Sequence, residues 1–273
     1  MPHLSTMNSL GHAFNRGFEI ALSGLFPPRC AGCNCWNEDI FCATCREQLR
    51  YLTTPLCQVC GKPFDPLAKG AHLCAECRPN RYHKPPAFTA LRSCYVFEGP
   101  VREAVHRYKY ENRTVLAVAL ADVLAEFWQH GCGDSLETPQ LDVVTAVPLH
   151  WWRRYRRGYN QSELLANRLA EQLQVPAKVL LQRIRPTRPQ IYLGHNQRAG
   201  NVKNAFVMEK RASSVKKKSV LLIDDVCTTG ATLRECARVL KRAGAQSVYG
   251  LTLARQIAHD KPHASFSSAE EPG

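Results

Sequence analysis

Four Cys-x-x-Cys pairs between residues 30 and 77 constrain the fold of this 273-residue chain more than any other feature of its sequence. The pairs are Cys30/Cys33, Cys42/Cys45, Cys57/Cys60 and Cys74/Cys77. One such turn offers two thiolates to an ion, and a second turn completes a tetrahedral zinc site. We therefore predict two zinc ions, one bound by the first two pairs and one by the last two, as staples of a segment that has little core of its own.

Other interpretations of these cysteines remain open at this stage. Redox-active pairs, interleaved pairing of the four turns and competition between Cys35 and Cys33 are all compatible with the spacing. A secreted disulfide framework is disfavoured, because residues 1–25 lack a basic start and carry Arg16 and Glu19 within the apolar stretch. No run of eighteen apolar residues indicates a membrane span. We expect a reducing, cytoplasmic compartment, where such pairs usually bind metal.

Changes in composition divide the chain into four predicted segments. We expect an N-terminal helical lead at 1–26, a zinc-binding double ribbon at 27–80, an α/β domain at 87–256 and a disordered polar tail at 257–273. Pro27 and Pro28 end the lead because proline cannot continue a helix. The Pro-rich, polar stretch at 78–86 is typical of a linker.

Apolar segments alternate with helical patterns through the third segment. We predict strands at 91–97, 141–148, 219–225 and 247–255, and helices at 100–110, 114–130, 160–174 and 232–244. Asn160 and Glu163 predict a capping box at the start of the third helix. Uninterrupted apolar strands that alternate with helices indicate a parallel sheet covered on both faces, and such sheets bind ligands beyond the carboxyl ends of their strands.

The segment VLLIDDVCTTGATL, at 220–233, places Asp224 and Asp225 at the end of a predicted central strand. The backbone N–H groups of the following loop and helix form a cradle for an anion, and Gly230 allows close approach. Three threonines add hydroxyl donors: Thr228, Thr229 and Thr232. Two acids that faced a phosphate would repel it, so they suit a hydroxylated group or a metal. A phosphorylated sugar meets both demands, whereas the alternative is a simple strand-to-helix turn with capping residues.

A second candidate site is the basic, aromatic stretch HWWRRYRRGYN at 150–160. Arginine binds phosphate with two hydrogen bonds, and an aromatic ring stacks on an unpaired base with about 1–3 kcal/mol. This stretch predicts a pyrophosphate loop or a platform for single-stranded DNA; the alternative is a solvated basic face. The candidate residues are His150, Trp151, Trp152, Arg153, Arg154, Arg156 and Arg157. Of the net charge of +13, residues 86–273 carry +10, which favours an anionic partner. The orientation of Arg107 and Lys109, two further basic residues, is left open.

The segment at 220–232 resembles the site for 5-phosphoribosyl 1-pyrophosphate (PRPP) in type I phosphoribosyltransferases. The resemblance implies that Asp224 and Asp225 hold the ribose hydroxyls as the catalytic acids. It implies Mg²⁺ as the companion of PRPP, and a pyrophosphate loop at 150–157. It also implies that five residues surround the 5′-phosphate: Thr228, Thr229, Gly230, Ala231 and Thr232.

The whole layout resembles the ComF family of competence proteins over residues 30–255. The resemblance rests on the double cysteine ribbon, on VPLHWWRRYRRGYNQSELLA and on RIRPTRPQIYLGHNQRAGNVKNAF. It implies natural transformation, with action on incoming single-stranded DNA at the cytoplasmic side of the inner membrane, near other DNA-uptake proteins. It also implies a flexible loop that carries Thr187, Gln190, Arg198 and Asn201. This chain departs from the family pattern in its Trp151–Trp152 pair and at Gly194 and His195.

Two other functions stay compatible with the sequence. The domain could be an active phosphoribosyltransferase that transfers phosphoribose from PRPP to an unidentified acceptor, since no motif specifies a base or an amine. The ribbons could instead serve as a zinc-based adaptor for another protein. Fold alone does not decide among these functions.

Overall fold

The computed structural model describes residues 29–65, 73–79, 86–111, 114–134, 136–186 and 202–257. The helical lead predicted for 1–26 and nearly all of the predicted polar tail lie outside these residues. So do the four residues of the predicted flexible loop: Thr187, Gln190, Arg198 and Asn201.

A four-stranded parallel sheet forms the centre of the fold. Its strands, in chain order, are β1 (Ala90–Val96), β2 (Val143–Ala146), β5 (Ser219–Cys227) and β6 (Ser247–Arg255), and their order across the sheet is β1-β6-β5-β2. The apolar runs in these segments are buried between layers of helices, as the sequence predicts. Strands β2 and β5 are neighbours, with Ala146 opposite Ile223, so the segments that follow them lie at the same edge of the sheet.

Seven helices and a short hairpin surround this sheet in the described part of the chain. They are α1 (Ala43–Glu47), α2 (Gly99–Tyr110), α3 (Leu116–Gln129), α4 (Gly131–Asp134), α5 (Trp151–Arg157), α6 (Gln161–Leu173) and α7 (Ala231–Arg242). The hairpin pairs β3 (Leu181–Arg183) with β4 (Phe206–Met208) in antiparallel fashion. None of the described helices has the length and apolar character that a bilayer span requires.

Residues 151–157, predicted to form a loop, are the helix α5. The imidazole Nδ1 of His150 accepts a hydrogen bond from the backbone N–H of Trp152 at 3.4 Å, which caps the first turn. Gly158, with φ of +78°, ends the helix in the left-handed conformation, and its N–H donates to the carbonyl of Arg154 at 2.8 Å. The loop prediction is wrong because these two end signals enclose a stretch with no helix-breaking residue.

The capping box predicted at Asn160 and Glu163 does not form. The side-chain amide of Asn160 donates to the carbonyl of Val147 at 3.2 Å and makes no cap hydrogen bond, although Asn160 does precede helix α6. The carboxylate of Glu163 pairs with Arg154 at 3.3 Å. Tertiary contacts therefore occupy both side chains that would have formed the box.

The two cysteine ribbons pack on opposite faces of the sheet. Cys30, Phe41 and Cys45 belong to the apolar cluster that includes helices α2, α3 and α6. The cysteines of residues 57–77 belong to the other cluster, together with helix α7 and the β3–β4 hairpin. Each ribbon therefore completes its small interior with side chains of the α/β domain, because a segment of this size buries too little apolar surface alone.

Ribbon residues also cover the exposed edge of strand β1. The backbone N–H of Val96 donates to the carbonyl of Arg50 at 2.8 Å, and that of Leu91 donates to the carbonyl of Val59 at 2.8 Å. An uncovered edge strand would present these N–H groups as a template for pairing with another chain. The ribbon segment thus closes this side of the sheet.

Candidate functional site

Asp224 and Asp225, the two acids of the segment at 220–233, lie near the carboxyl end of strand β5. Asp225 is 7% exposed, and its Oδ1 accepts a hydrogen bond from Nζ of Lys109 at 2.8 Å. Oδ1 of Asp224, which is partly buried, accepts from Oγ of Ser162 at 2.8 Å and from the backbone N–H of Asp225 at 3.0 Å. The acids do not end the strand as the sequence predicts, because β5 continues to Cys227, and Asp225 is buried within it.

The electrostatics of this pair favour a cation or a hydroxylated ligand. Burial, and after it the neighbouring Asp225, together raise the pKa of Asp224 to about 7, against the opposing effects of Lys109 and of the Ser162 hydrogen bond. Near neutral pH the carboxyl group of Asp224 is therefore partly protonated. A metal ion or a hydroxyl donor bound here would stabilise the ionised form, so ligand binding and proton release are coupled.

Two side-chain contacts to the acid pair come from outside the segment at 220–233. Lys109 lies in the last turn of α2 and Ser162 in the first turn of α6. The sequence left the orientation of Lys109 open and did not identify Ser162 at all, because nothing within either segment indicates a partner on β5. Arg107 faces away from the site and donates to the carbonyl oxygens of Ala31, at 2.5 Å, and Gly32 in the first ribbon.

The loop after β5 turns at a glycine into helix α7, and we call residues 228–232 the phosphate loop after the ligand that the sequence predicts. Gly230 has φ of +74° and caps helix α7, so a side chain there would impose strain. Oγ1 of Thr229 accepts from the N–H of Ala231 at 3.4 Å. Thr228, Thr229 and Thr232 are all partly exposed. The N-terminus of a twelve-residue helix therefore meets three accessible hydroxyl groups, an arrangement that suits an anion.

Helix α5 presents a basic aromatic surface, by which we mean Trp151, Trp152, Arg154 and Tyr155. The three aromatic side chains are 67%, 50% and 79% exposed, respectively. The rings of Trp152 and Tyr155 are stacked, with centroids 6.1 Å apart and planes inclined by 21°. Large aromatic groups this exposed indicate a binding surface. Arg153 and Arg156 lie on the same helix, but their side chains are outside the described part of the structure.

The basic aromatic surface and the phosphate loop lie at the same edge of the sheet. The backbone N–H of Val147 donates to the carbonyl of Ile223 at 2.9 Å, which ties the segment before α5 to the strand that carries the acids. Helix α6 follows α5 directly and places Ser162 on Asp224. The segments that carry the two candidate sites therefore leave the sheet from the neighbouring strands β2 and β5.

The second ribbon contains a cluster of four buried thiols that fits a zinc ion. Ligand atoms of Cys57, Cys60, Cys74 and Cys77 all lie within 4.8 Å of one another. The sulfur atoms of Cys60 and Cys74 are 3.5 Å apart, and the N–H of Cys74 points to the sulfur of Cys57 at 3.4 Å. Four converging sulfur ligands match a structural zinc site, and an N–H donor favours the thiolate form.

The cluster of cysteine thiols in the first ribbon differs from the four zinc ligands that the sequence predicts. The four cysteines whose sulfur atoms lie within 4.8 Å of one another are Cys30, Cys33, Cys35 and Cys42. Cys45, the predicted fourth ligand, is buried next to this group and interacts electrostatically with Cys30, Cys33 and Cys42. Cys35 joins the group because Asn34, with φ of +68°, turns the chain back so that the carbonyl of Cys35 accepts from the N–H of Cys30. Five thiols therefore surround this centre, which also fits zinc.

Two domain families match the chain. The double zinc ribbon domain matches residues 21–78, and the phosphoribosyl transferase domain matches residues 160–268. These matches, together with the parallel sheet and its flanking helices, confirm the predicted fold class.

Proteins of related sequence match over most of the chain. The DNA utilization protein YhgH of Salmonella typhimurium is 34% identical over 218 residues, which are 79% of this chain and 90% of that protein. Competence protein F of Haemophilus influenzae is 29% identical over 218 residues, which are 78% of this chain and 90% of that protein.

One solved structure matches about half of the chain. A glutamine PRPP amidotransferase from B. subtilis, complexed with ADP and GMP, matches 54% of this chain with 23% identity and a TM-score of 0.36. The match spans about 30% of the length of that enzyme.

Proposed function

The chain belongs to the ComF family of competence and DNA utilization proteins, and on this premise we propose that it binds incoming single-stranded DNA during natural transformation. We further propose that its phosphoribosyltransferase domain binds PRPP or a related phosphoribosyl ligand. We place this DNA binding at the cytoplasmic side of the inner membrane, near other DNA-uptake proteins.

The observation that carries the DNA proposal is the position of the basic aromatic surface. Its exposed rings can stack on unpaired bases, while the guanidinium groups of helix α5 contact phosphates. One more cation and aromatic ring extend this surface, since the guanidinium of Arg157 lies 4.9 Å from the ring centroid of Tyr110. Every base has a face for stacking, so this surface suits single strands without strong sequence preference.

The phosphoribosyl proposal rests on the acid pair and the loop together. Asp224 and Asp225 would accept hydrogen bonds from the ribose hydroxyls, with Lys109 and Ser162 holding the carboxylates in place. The threonines and the N-terminus of α7 would bind the 5′-phosphate. When bound, Mg²⁺ supplies positive charge that stabilises a leaving pyrophosphate.

The decisive experiment measures binding of a fluorescent oligothymidylate by anisotropy over a series of salt concentrations. Trp152→Ala combined with Tyr155→Ala should weaken binding by roughly tenfold or more, since stacking contributes about 1–3 kcal/mol per base. The slope of log affinity against log salt should change little, because stacking releases few counterions. Arg154→Gln with Arg157→Gln should flatten that slope by about 0.7 for each lost phosphate contact.

Trp36→Ala is the matched control. Trp36 is an exposed tryptophan under the guanidinium of Arg29, at 4.2 Å, in the first ribbon. It should leave DNA affinity and salt slope unchanged. If the α5 variants bind as tightly as the parent, or if Trp36→Ala weakens binding equally, the proposed DNA surface is wrong.

A second candidate function is catalysis of phosphoribosyl transfer. It is favoured by a carboxyl group of raised pKa beside a phosphate cradle, since perturbed acids cluster at catalytic sites. The test is release of pyrophosphate from Mg²⁺–PRPP in the presence of pooled bases and amines. Release that Asp224→Asn abolishes would support an enzyme, whereas PRPP binding without release would support a ligand-binding role.

A further inference from the structure

Three contacts join the second ribbon to residues that flank or support the phosphate loop. We infer that the second zinc site positions this loop, with Glu76 and Arg234 as the positioning pair, so that metal binding in the ribbon and phosphate binding in the domain are coupled. The inference rests on the proposed phosphoribosyl site and assigns to the ribbon a role in forming it.

The first contact is an ion pair between the zinc turn and helix α7. Glu76 lies between Cys74 and Cys77, and its Oε2 accepts from Nη2 of Arg234 at 2.6 Å. The backbone N–H of Arg234 donates to the carbonyl of Gly230 at 2.9 Å, and a Cβ atom on Gly230 would lie 4.0 Å from Nε of Arg234. The guanidinium group thus runs from the zinc turn to the glycine of the phosphate loop.

The second contact supports the strand from which the loop leaves. Arg255, buried at the end of β6, donates from Nη2 to the carbonyl of Cys60, a thiol donor of the second site. Arg255 is the register partner of Cys227, the last residue of β5, and the N–H of Gln256 donates to the carbonyl of Cys227 at 2.9 Å. The backbone carbonyl of Cys60 is therefore hydrogen-bonded to Arg255, which pairs with Cys227 at the point where the loop begins.

The third contact passes through Leu91 on strand β1. The N–H of Leu91 donates to the carbonyl of Val59, and its own carbonyl oxygen occupies the space that a Cβ on Gly61 would need, so the ribbon and strand backbones touch. The side chain of Leu91 would lie 3.7 Å from a Cβ on Gly230. Residues 59–61 thus set the position of the side chain beneath the loop.

The first ribbon lacks such contacts among the described residues and provides the internal comparison. In the described part of the chain its side-chain bonds to the domain run from Arg107 to the carbonyls of Ala31 and Gly32, and from Arg50 to Glu98 at 2.8 Å, while a backbone bond joins the carbonyl of Arg50 to Val96. These bonds reach helix α2 and strand β1 and not the loop after β5. Loss of zinc from the second site should therefore disturb the loop more than loss from the first.

The physical link is the population of loop conformations that can bind phosphate. An ion that binds Cys74 and Cys77 fixes the backbone of Glu76 between them, and Glu76 then restrains Arg234. A ligand that needs one loop conformation binds with an affinity reduced by the fraction of molecules in that conformation. Weakening the restraint therefore lowers phosphate affinity without removing any group that touches the ligand.

The test uses Glu76→Gln, which removes the charge and keeps the shape, with Glu98→Gln as the matched control in the other ribbon-to-domain ion pair. Zinc content is measured first and should stay at the parent value in both variants. Hydrogen–deuterium exchange of residues 226–234 should become up to about fivefold faster in Glu76→Gln, the range expected for a partly exposed ion pair. Affinity for ribose 5-phosphate, measured by calorimetry, should fall by a similar factor. Arg234→Lys, which keeps the charge, should lie between parent and Glu76→Gln.

The outcomes separate this inference from the proposed function. Unchanged loop exchange in Glu76→Gln, or equal changes in Glu76→Gln and Glu98→Gln, overturns the positioning role. Faster loop exchange in a protein whose parent form does not bind ribose 5-phosphate supports the positioning role and refutes the proposed ligand.

Discussion

Ser162→Ala should convert the phosphoribosyl site into one that works only at higher pH. The substitution removes the hydroxyl that donates to Oδ1 of Asp224 at 2.8 Å. Ser162 is buried at the start of α6, and alanine fits the same space and favours a helix, so the fold should remain intact. The effect should therefore appear in the ionisation of Asp224.

The magnitude follows from the hydrogen bond that is lost. A hydrogen bond to a charged group contributes about 1.5–3 kcal/mol, and one pKa unit corresponds to about 1.4 kcal/mol. The pKa of Asp224, about 7 in the parent, should rise by roughly 1–2 units. At pH 7.5 the ionised fraction would then fall from about three quarters to between about one quarter and one thirtieth.

Affinity for ribose 5-phosphate should follow that fraction, because the hydroxyl groups of the ribose need an ionised acceptor. We expect a loss of roughly 3- to 25-fold at pH 7.5 and near-parental affinity by about pH 9.5. Calorimetric titrations from pH 6 to 9.5 measure this, and taking the ratio of variant to parent at each pH cancels the titration of the ligand itself.

Ser93→Ala is the matched control. Ser93 is equally buried, but its hydroxyl pairs with that of Thr252 at 2.6 Å. Its substitution should leave the pH profile in place. A Ser162→Ala variant whose loss of affinity is the same at every pH would refute the assignment of Ser162 as a group that, with Lys109, lowers the pKa of Asp224.

Three further predictions concern stability, zinc and the phosphate loop. The pKa of Asp224 is raised from 3.8 to about 7 in the folded protein, so folding takes up a proton at pH values between these two. The free energy of unfolding should therefore fall as pH rises through this window. Urea midpoints should show that fall in the parent and a smaller fall in Asp224→Asn. Cys57→Ser should reduce the zinc content, measured by elemental analysis, from two ions to one. Cys35→Ser and Cys45→Ser should each keep two ions, with weaker binding at the first site, because five thiols surround that site. Loss of an ion in only one of these two variants would show that its thiol is the required ligand. Thr229→Val should lower ribose 5-phosphate affinity by roughly ten- to a hundredfold, the value of one hydrogen bond to a charged group, and an unchanged calorimetric titration would place the phosphate elsewhere.

The sequence by itself determined the features that depend on residues close together in the chain. Strands β1, β2, β5 and β6 are recognisable because their apolar runs are continuous, and the glycine of the loop at 228–230 is required by a local backbone conformation. The zinc turns follow from a two-residue spacing. Local patterns of this kind survive in any tertiary context, which is why the fold class and the family could be predicted.

Helix α5 marks the limit of local pattern reading. The arginines and aromatic residues of this segment predict binding of phosphates and bases from their composition, but they do not predict the helix. The end signals that settle it, the His150 side chain and the left-handed Gly158, carry meaning only once the chain between them is helical. The same holds for Cys35, whose approach to the first thiol group depends on the turn at Asn34.

Only the tertiary structure decided the chemistry of the acids and the role of the ribbons. Lys109 and Ser162 reach Asp225 and Asp224 from two different helices, and Glu76 reaches Arg234 from a different segment of the chain. The raised pKa of Asp224 depends on how much water these neighbours exclude. Desolvation and long-range ion pairs are properties of packed surfaces, and no spacing within one segment encodes which surface will cover another.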